Sequence, residues 1–358
     1  MIKNLQSLRF VFCMLIFVLH FTGMVHTEYN FAYGGDAGVA FFFMLSGFVL
    51  CIGYSRKNES KRVSAIDFFL GRLRKLYPLH LVSMLIAVAM FLHIGNTFHI
   101  DYFVAQLLMI QSWFASTDYI LYGNPVSWFF GPLFLCYALF PWLYGNVIRK
   151  PASFSFRCLL VIYVIGYTGV RCISDADIDN YLYAFPPLRI MDFFIGMITY
   201  RLYKSTILSD MRQRVIKLSV SWATLVESLV IGLCFSTWVV YPYLPSWFRF
   251  SALFWIPFSI TILWFSLSDG GKGVFSRLFR NRSMLWLGGI SFEIYMLHII
   301  GIMLSNAVYG KLFGYDNMNL PVLFAFAIIT TVMLSALAKK IEKEIFCKLV
   351  DKKKIEVK

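Results

Sequence analysis

Charge is scarce in this chain, and acidic charge scarcest: only 15% of its 358 residues are charged, with 19 Asp and Glu against 33 Lys and Arg. An ordinary soluble domain carries about 25% charged residues. Together with 59% hydrophobic residues and a mean hydropathy of +0.68, the shortage excludes a soluble globule. The seven cysteines form no CxxC or metal-ligand spacing, so they read as packing residues and no metal site is expected. A Gly-rich phosphate loop is missing, and with it a soluble nucleotide-binding fold. No repeat, low-complexity linker or separable soluble stretch interrupts the sequence.

What the chain has instead is apolar runs of about 20 residues, the length that crosses a hydrocarbon core as a helix. They lie near 5–26, 36–54, 76–93, 127–148, 158–173, 187–203, 218–240, 247–267, 284–308 and 320–338. The expected fold is an all-α polytopic membrane bundle of about ten helices. Charge tests the order, because cytoplasmic loops accumulate Lys and Arg. With the N-terminus inside, cytoplasmic segments hold 28 of the 33 basic residues. Arg9, Arg171, Arg189 and Arg249 fall within or at the ends of spans, and the external loops hold only Lys311. Both termini are therefore expected in the cytoplasm. The net charge of +14 reads as a topology signal, with no nucleic acid as partner.

The first apolar segment continues to Val25 without a small-residue cleavage site and is read as retained, not as a signal peptide. Residues 1–340 form the membrane domain on this reading, and 341–358 a basic cytoplasmic tail. The lysine-rich stretch from Lys339 is given no catalytic role. Outside, Asp101, Asp118, Asp175, Asp177 and Asp179 give the loops an acidic, solvated character. The apolar stretch from Asp101 to Phe114 is too short to span and reads as an interfacial or re-entrant helix, offering Gln106, Gln111 and Trp113 to an external surface.

Ionisable groups inside spans are functional candidates by default. Arg9 and His20 are eleven residues apart, three helical turns plus about 20°, so they share one face about 16 Å apart along the axis. His298 lies at a similar height in the ninth span, with Ser291 seven residues earlier on nearly the same face. Ser46 and Gly47, in FFFMLSGFVL, fall mid-span. A membrane serine more often bonds its own helix backbone, whereas a buried imidazole needs partners. His26, His93 and His99 lie at or beyond span ends, where hydration is the default. Arg72, Arg74 and Lys75, in FFLGRLRKLYPLH, precede the third span, with Pro78 suited to its first turn. They read as a positive-inside anchor, or as the grip on a polyphosphorylated ligand from the cytosol.

Six segments in order carry a resemblance: Arg9 with His20, the run around Ser46 and Gly47, RLRKLYPLH from Arg72, SWFFGPLFLCYALFP from Ser127 to Pro141, PPLRIMDFFIGMITYRL from Pro186, and GGISFEIYMLH from Gly288 to His298. The chain resembles the acyltransferase-3 family of integral membrane acyltransferases, whose members modify mainly bacterial surface polysaccharides, lipopolysaccharide, peptidoglycan precursors and some small molecules. The resemblance implies that His20 is the catalytic base and that Arg9 helps hold the acyl donor or the site geometry. It carries a paired basic motif onto Arg72 and Lys75, where the second position is often arginine. It also often has Glu where this chain has Leu133, so a carboxylate orienting His20 is sought elsewhere, at Glu293 or Asp192.

The expected enzyme is an O-acetyltransferase of the bacterial cytoplasmic (inner) membrane. Its donor substrate is acyl-CoA, by default acetyl-CoA, with no permanently bound cofactor. Its acceptor is a surface polysaccharide or lipid-linked glycan, and the lipid bilayer is its other partner. In that mechanism Arg72, Arg74 and Lys75 hold the donor phosphates, and His298 or Ser291 donates to the oxyanion. Covalent acylation of Ser46 is the lesser route. A proton-coupled transporter is the main rival, although the inverted halves it would favour are not seen. A non-catalytic ligand-binding protein is the third reading.

Overall fold

An apolar segment in lipid finds no water for its backbone N–H and C=O groups and must pair them within itself, which a helix does. The computed structural model describes residues 2–25, 31–58, 64–114, 116–170, 178–314 and 319–356. His26, Arg171, Asp175 and Asp177 lie outside the described residues. Ten helices answer the expected spans: α1 (Lys3–Met24), α2 (Ala32–Asn58), α3 (Ala65–His93), α4 (Phe130–Leu143), α5 (Ala152–Val170), α6 (Pro186–Tyr203), α7 (Val220–Val240), α8 (Ala252–Leu267), α9 (Ser291–Phe313) and α10 (Leu320–Glu356). No strand occurs among the described residues.

Eight of the ten are long and apolar enough to cross a membrane, by length and composition, α4 and α8 when extended by their flanking turns to Pro125–Ile148 and Ser246–Leu267. The exceptions are α5, apolar only over Ser153–Gly166, and α6, which carries Arg189, Asp192 and Arg201 in its 18 residues. Helix α6 sets those charges against protein: Arg189 is 1% exposed and Asp192 fully buried.

The starts of the third and ninth spans depart furthest from expectation, each for a local reason. Helix α3 starts at Ala65 and runs through Pro78. Its basic side chains can extend their stems along an apolar edge, so the helix can begin ahead of its apolar run. Lacking an N–H, Pro78 leaves the Arg74 carbonyl without its helical donor. The ninth span, expected to start at Met284, is broken at Ile290 between a short helix, Arg282–Gly289, and α9. Gly288 there presses on the backbone of Gln6, where a Cβ would collide with the Gln6 carbonyl. Helix α10 runs on through the lysine-rich stretch to Glu356.

The external stretch is divided into Ile100–Leu107, Gln111–Trp113 and Thr117–Leu121, with Met109 at φ 58° at the first break. Gln106 and Gln111 are fully buried. Gln106 Nε2 donates to the carbonyl of Tyr122, and Gln111 Nε2 to Ser127 Oγ at 3.1 Å. They hold the loop's interior together and are not offered to a surface; Trp113 is 41% exposed.

Helix α2 is the hub. A Cβ at Gly38 would meet the Phe12 carbonyl of α1 at 3.0 Å, and one at Gly47 would meet the Phe193 carbonyl of α6. Reciprocally, Gly196 of α6 lies against the Met44 carbonyl of α2. Small residues that let backbones approach are what drive helix association where lipid is as apolar as leucine. The Phe12 and Phe41 rings stack at 3.7 Å between centroids, with Phe258 edge-on to both. Gly196→Ala is therefore expected to destabilise the bundle by about 3 kcal/mol, at the upper end of overpacking penalties. Reversible detergent unfolding checks this, with Gly232→Ala, where no atom lies within 4 Å of the added Cβ, as the neutral control.

Candidate active site

Helices α1 and α9 bring His20 and His298 into contact, with His298 Nε2 2.9 Å from His20 Nδ1. The other nitrogen, His298 Nδ1, is 2.7 Å from the Tyr295 carbonyl. A carbonyl only accepts, so His298 Nδ1 carries the proton, and in a neutral imidazole Nε2 must then accept. The proton in the shared bond therefore sits on His20 Nδ1. That leaves His20 Nε2 with a free lone pair, the arrangement a general base requires. His298 is 1% exposed, while His20 is half-buried.

Both nitrogens of His298 are thereby engaged, so it cannot also donate to an oxyanion; it orients His20. The carboxylates expected to do so are elsewhere. Asp192 receives Arg189 Nη1 at 2.9 Å, Trp255 Nε1 at 2.8 Å and the Ser251 hydroxyl. Glu293 Oε1 receives Lys339 Nζ at 2.9 Å.

Below the histidines is a cavity of about 230 Å³. Its wall includes Arg9 of α1, Ser46 of α2, Arg72 and Lys75 of α3, Leu133 and Tyr137 of α4, and Ser291, Glu293 and Tyr295 of α9. Arg72 lies over the rings of Phe68 and Tyr137, at 5.3 and 5.8 Å from the centroids. Arg9, Arg72 and Lys75 form no ion pair among the described residues, so the cavity keeps a net positive charge despite Glu293 and Glu342 in its wall. The first turn of α9 adds the positive end of its helix dipole. That turn lies deep: Cys13 Sγ is 3.6 Å from the Ser291 carbonyl, which puts the start of α9 about 15 Å above that of α1 by helical rise.

The expected residues thus divide. Arg9, Ser46, Arg72, Lys75 and Ser291 share the cavity, and His20 pairs with His298 one turn above Tyr295. Arg74 is exposed and absent from the cavity wall, because it is two residues from Arg72 on a helix and faces away. No base hydrogen-bonds to Ser46 among the described residues, so nothing there activates it as a nucleophile. Ser291 Oγ donates to the Gly288 carbonyl at 3.0 Å, the local bond typical of a membrane serine. Among the described residues no group of three or more His, Cys, Asp or Glu could hold a metal.

Two features escaped the sequence reading. Lys339, first of the lysine-rich stretch given no catalytic role, lines the cavity with Glu342 and bonds both Glu293 and Glu342; its three-residue spacing from Glu342 is the signal in the sequence. His80 is fully buried, with Nε2 2.9 Å from the Gln106 carbonyl, and packs the external loop onto α3.

The family Acyl_transf_3, described as an acyltransferase domain, matches residues 2–339, from before Arg9 through Lys339. The chain belongs to this acyltransferase family. The acyltransferase MdmB of Streptomyces mycarofaciens is 24% identical to it over 303 residues, 78% of this chain and 72% of that protein. No solved structure matches. The chain is thus a multi-pass membrane acyltransferase.

Proposed function

We propose that this membrane acyltransferase takes an acyl group, acetyl by default, from cytosolic acyl-CoA and transfers it to a hydroxyl of a surface polysaccharide or lipid-linked glycan at the inner membrane of a bacterium. One observation carries the reading: three cations without carboxylate partners, Arg9, Arg72 and Lys75, face a cavity beneath a histidine pair with one free lone pair. A donor with several phosphates suits such a cavity, and guanidinium groups grip phosphate bidentately. Lys75 supplies charge without that fork.

The thin pantetheine arm then leads the thioester upward toward His20, about 16 Å above Arg9 by helical rise. His20 Nε2 takes the acceptor's hydroxyl proton as that oxygen attacks the thioester carbonyl carbon. The C–S bond breaks, and the imidazolium returns the proton to the departing thiolate, releasing CoA with a free thiol. His298 holds the tautomer throughout. Leu133 in the cavity wall is no obstacle to this scheme, because the orienting role belongs to His298.

Purified protein given labelled acetyl-CoA and candidate glycans is expected to release CoA only with an acceptor present. Transport of a solute without acyl transfer would favour the rival transporter. The double variant Arg72→Ala with Lys75→Ala should raise the KM for acetyl-CoA about tenfold or more, from lost charge-assisted contacts. Arg74→Ala should leave it unchanged. An equal effect from Arg74 would reduce the whole cluster to a topology anchor.

A further inference from the structure

Glu293 is the one carboxylate in the cavity wall that is almost fully enclosed, at 2% exposure. Its Oε1 is taken by Lys339 at 2.9 Å, while Oε2 is buried with no hydrogen-bond partner. A purely structural ion pair gives no reason to leave one oxygen of a buried carboxylate bare, since an unmet charged acceptor is among the costlier defects of an interior. That oxygen calls for a donor, and the fully ionised diphosphate of a CoA donor has none to give.

Depth narrows the ligand group. Glu293 is five residues before His298 on α9, about 7–8 Å lower by helical rise. Ser291 is level with Cys13, and Arg9 is one turn below Cys13 on α1. Glu293 thus lies between the basic cluster and the histidines, where the arm of an acyl-CoA would pass. That arm carries two amide N–H groups and one hydroxyl.

We propose that Glu293 Oε2 accepts a hydrogen bond from an N–H or O–H of the pantetheine arm, making Glu293 a donor-specificity residue, with Lys339 neutralising it beside the phosphates. This rests on the acyl-CoA reading above. Lys339 and Glu342 then form the rim at which α10 closes the cavity over the donor.

The test compares acetyl-CoA, S-acetylpantetheine and S-ethyl thioacetate, which has neither nucleotide nor amide, as donors for the full-length purified protein. Glu293→Ala is expected to lower kcat/KM about tenfold for the first two donors, as for a lost charge-assisted bond, through KM. It should leave S-ethyl thioacetate unaffected. Glu293→Gln, which keeps the shape and one acceptor oxygen, should recover part of the loss and guards against a misfolded alanine variant. Saturable wild-type use of acetyl-CoA with an unchanged KM in Glu293→Ala would overturn the proposal alone, as would an equal loss on S-ethyl thioacetate. No saturation by acetyl-CoA in the wild type would overturn the donor reading and this proposal with it.

Discussion

His20→Ala is expected to lower kcat for acyl transfer by about a hundredfold to ten-thousandfold, the usual worth of a positioned general base. The KM for acetyl-CoA should stay close to the wild-type value, because His20 is not in the cavity wall that holds the three cations. His298→Ala should cost less, since His20 Nε2 remains and only its orientation and tautomer are released. The double variant should be no worse than His20→Ala alone, as expected of residues that act as a unit. Turnover measured at saturating donor, on protein shown to be folded, checks all three. Additive losses would mean that His298 contacts the reacting atoms separately, contrary to the geometry of its two occupied nitrogens.

Asp192→Ala should be the most destabilising of the substitutions considered, by about 3–5 kcal/mol, because it leaves the buried Arg189 guanidinium uncompensated. Arg189 Nη1 would keep only the Phe250 carbonyl at 2.9 Å, and Trp255 Nε1 and the Ser251 hydroxyl would lose their carboxylate acceptor. Replacing both charges, with Arg189→Met and Asp192→Leu, should recover most of the loss, since a well-packed apolar pair often equals a buried ion pair. Detergent unfolding reads the stability, and kcat per folded molecule should change little. A kcat loss on the scale of His20→Ala would place Asp192 in the catalytic machinery after all.

The fold was legible because lipid leaves a segment few choices. Apolar length located eight helices long and apolar enough to cross a membrane. What composition could not show was where a helix breaks inside a continuous apolar pattern. The ninth span breaks just after the Gly288–Gly289 pair, where Gly288 meets Gln6, nearly the whole chain away. The site was legible in part for the same reason. Equal depth foretold that His20 and His298 could meet, but depth carries no rotation, so the 2.9 Å contact and its proton direction needed the packed helices. Rotation also separates Arg74 from Arg72. Lys339 was hidden among tail lysines whose shared charge concealed its position opposite Glu293.

In the proposed scheme one chain joins a cytosolic donor to an external acceptor at His20. The decisive test is sidedness. In proteoliposomes of one known orientation, labelled acetyl-CoA is supplied on the face bearing Arg72 and Lys75, and a glycan acceptor on either face in turn. Acylated glycan is expected only when the acceptor is on the opposite face, with none from His20→Ala. Product formed only when donor and acceptor share one face would contradict the scheme.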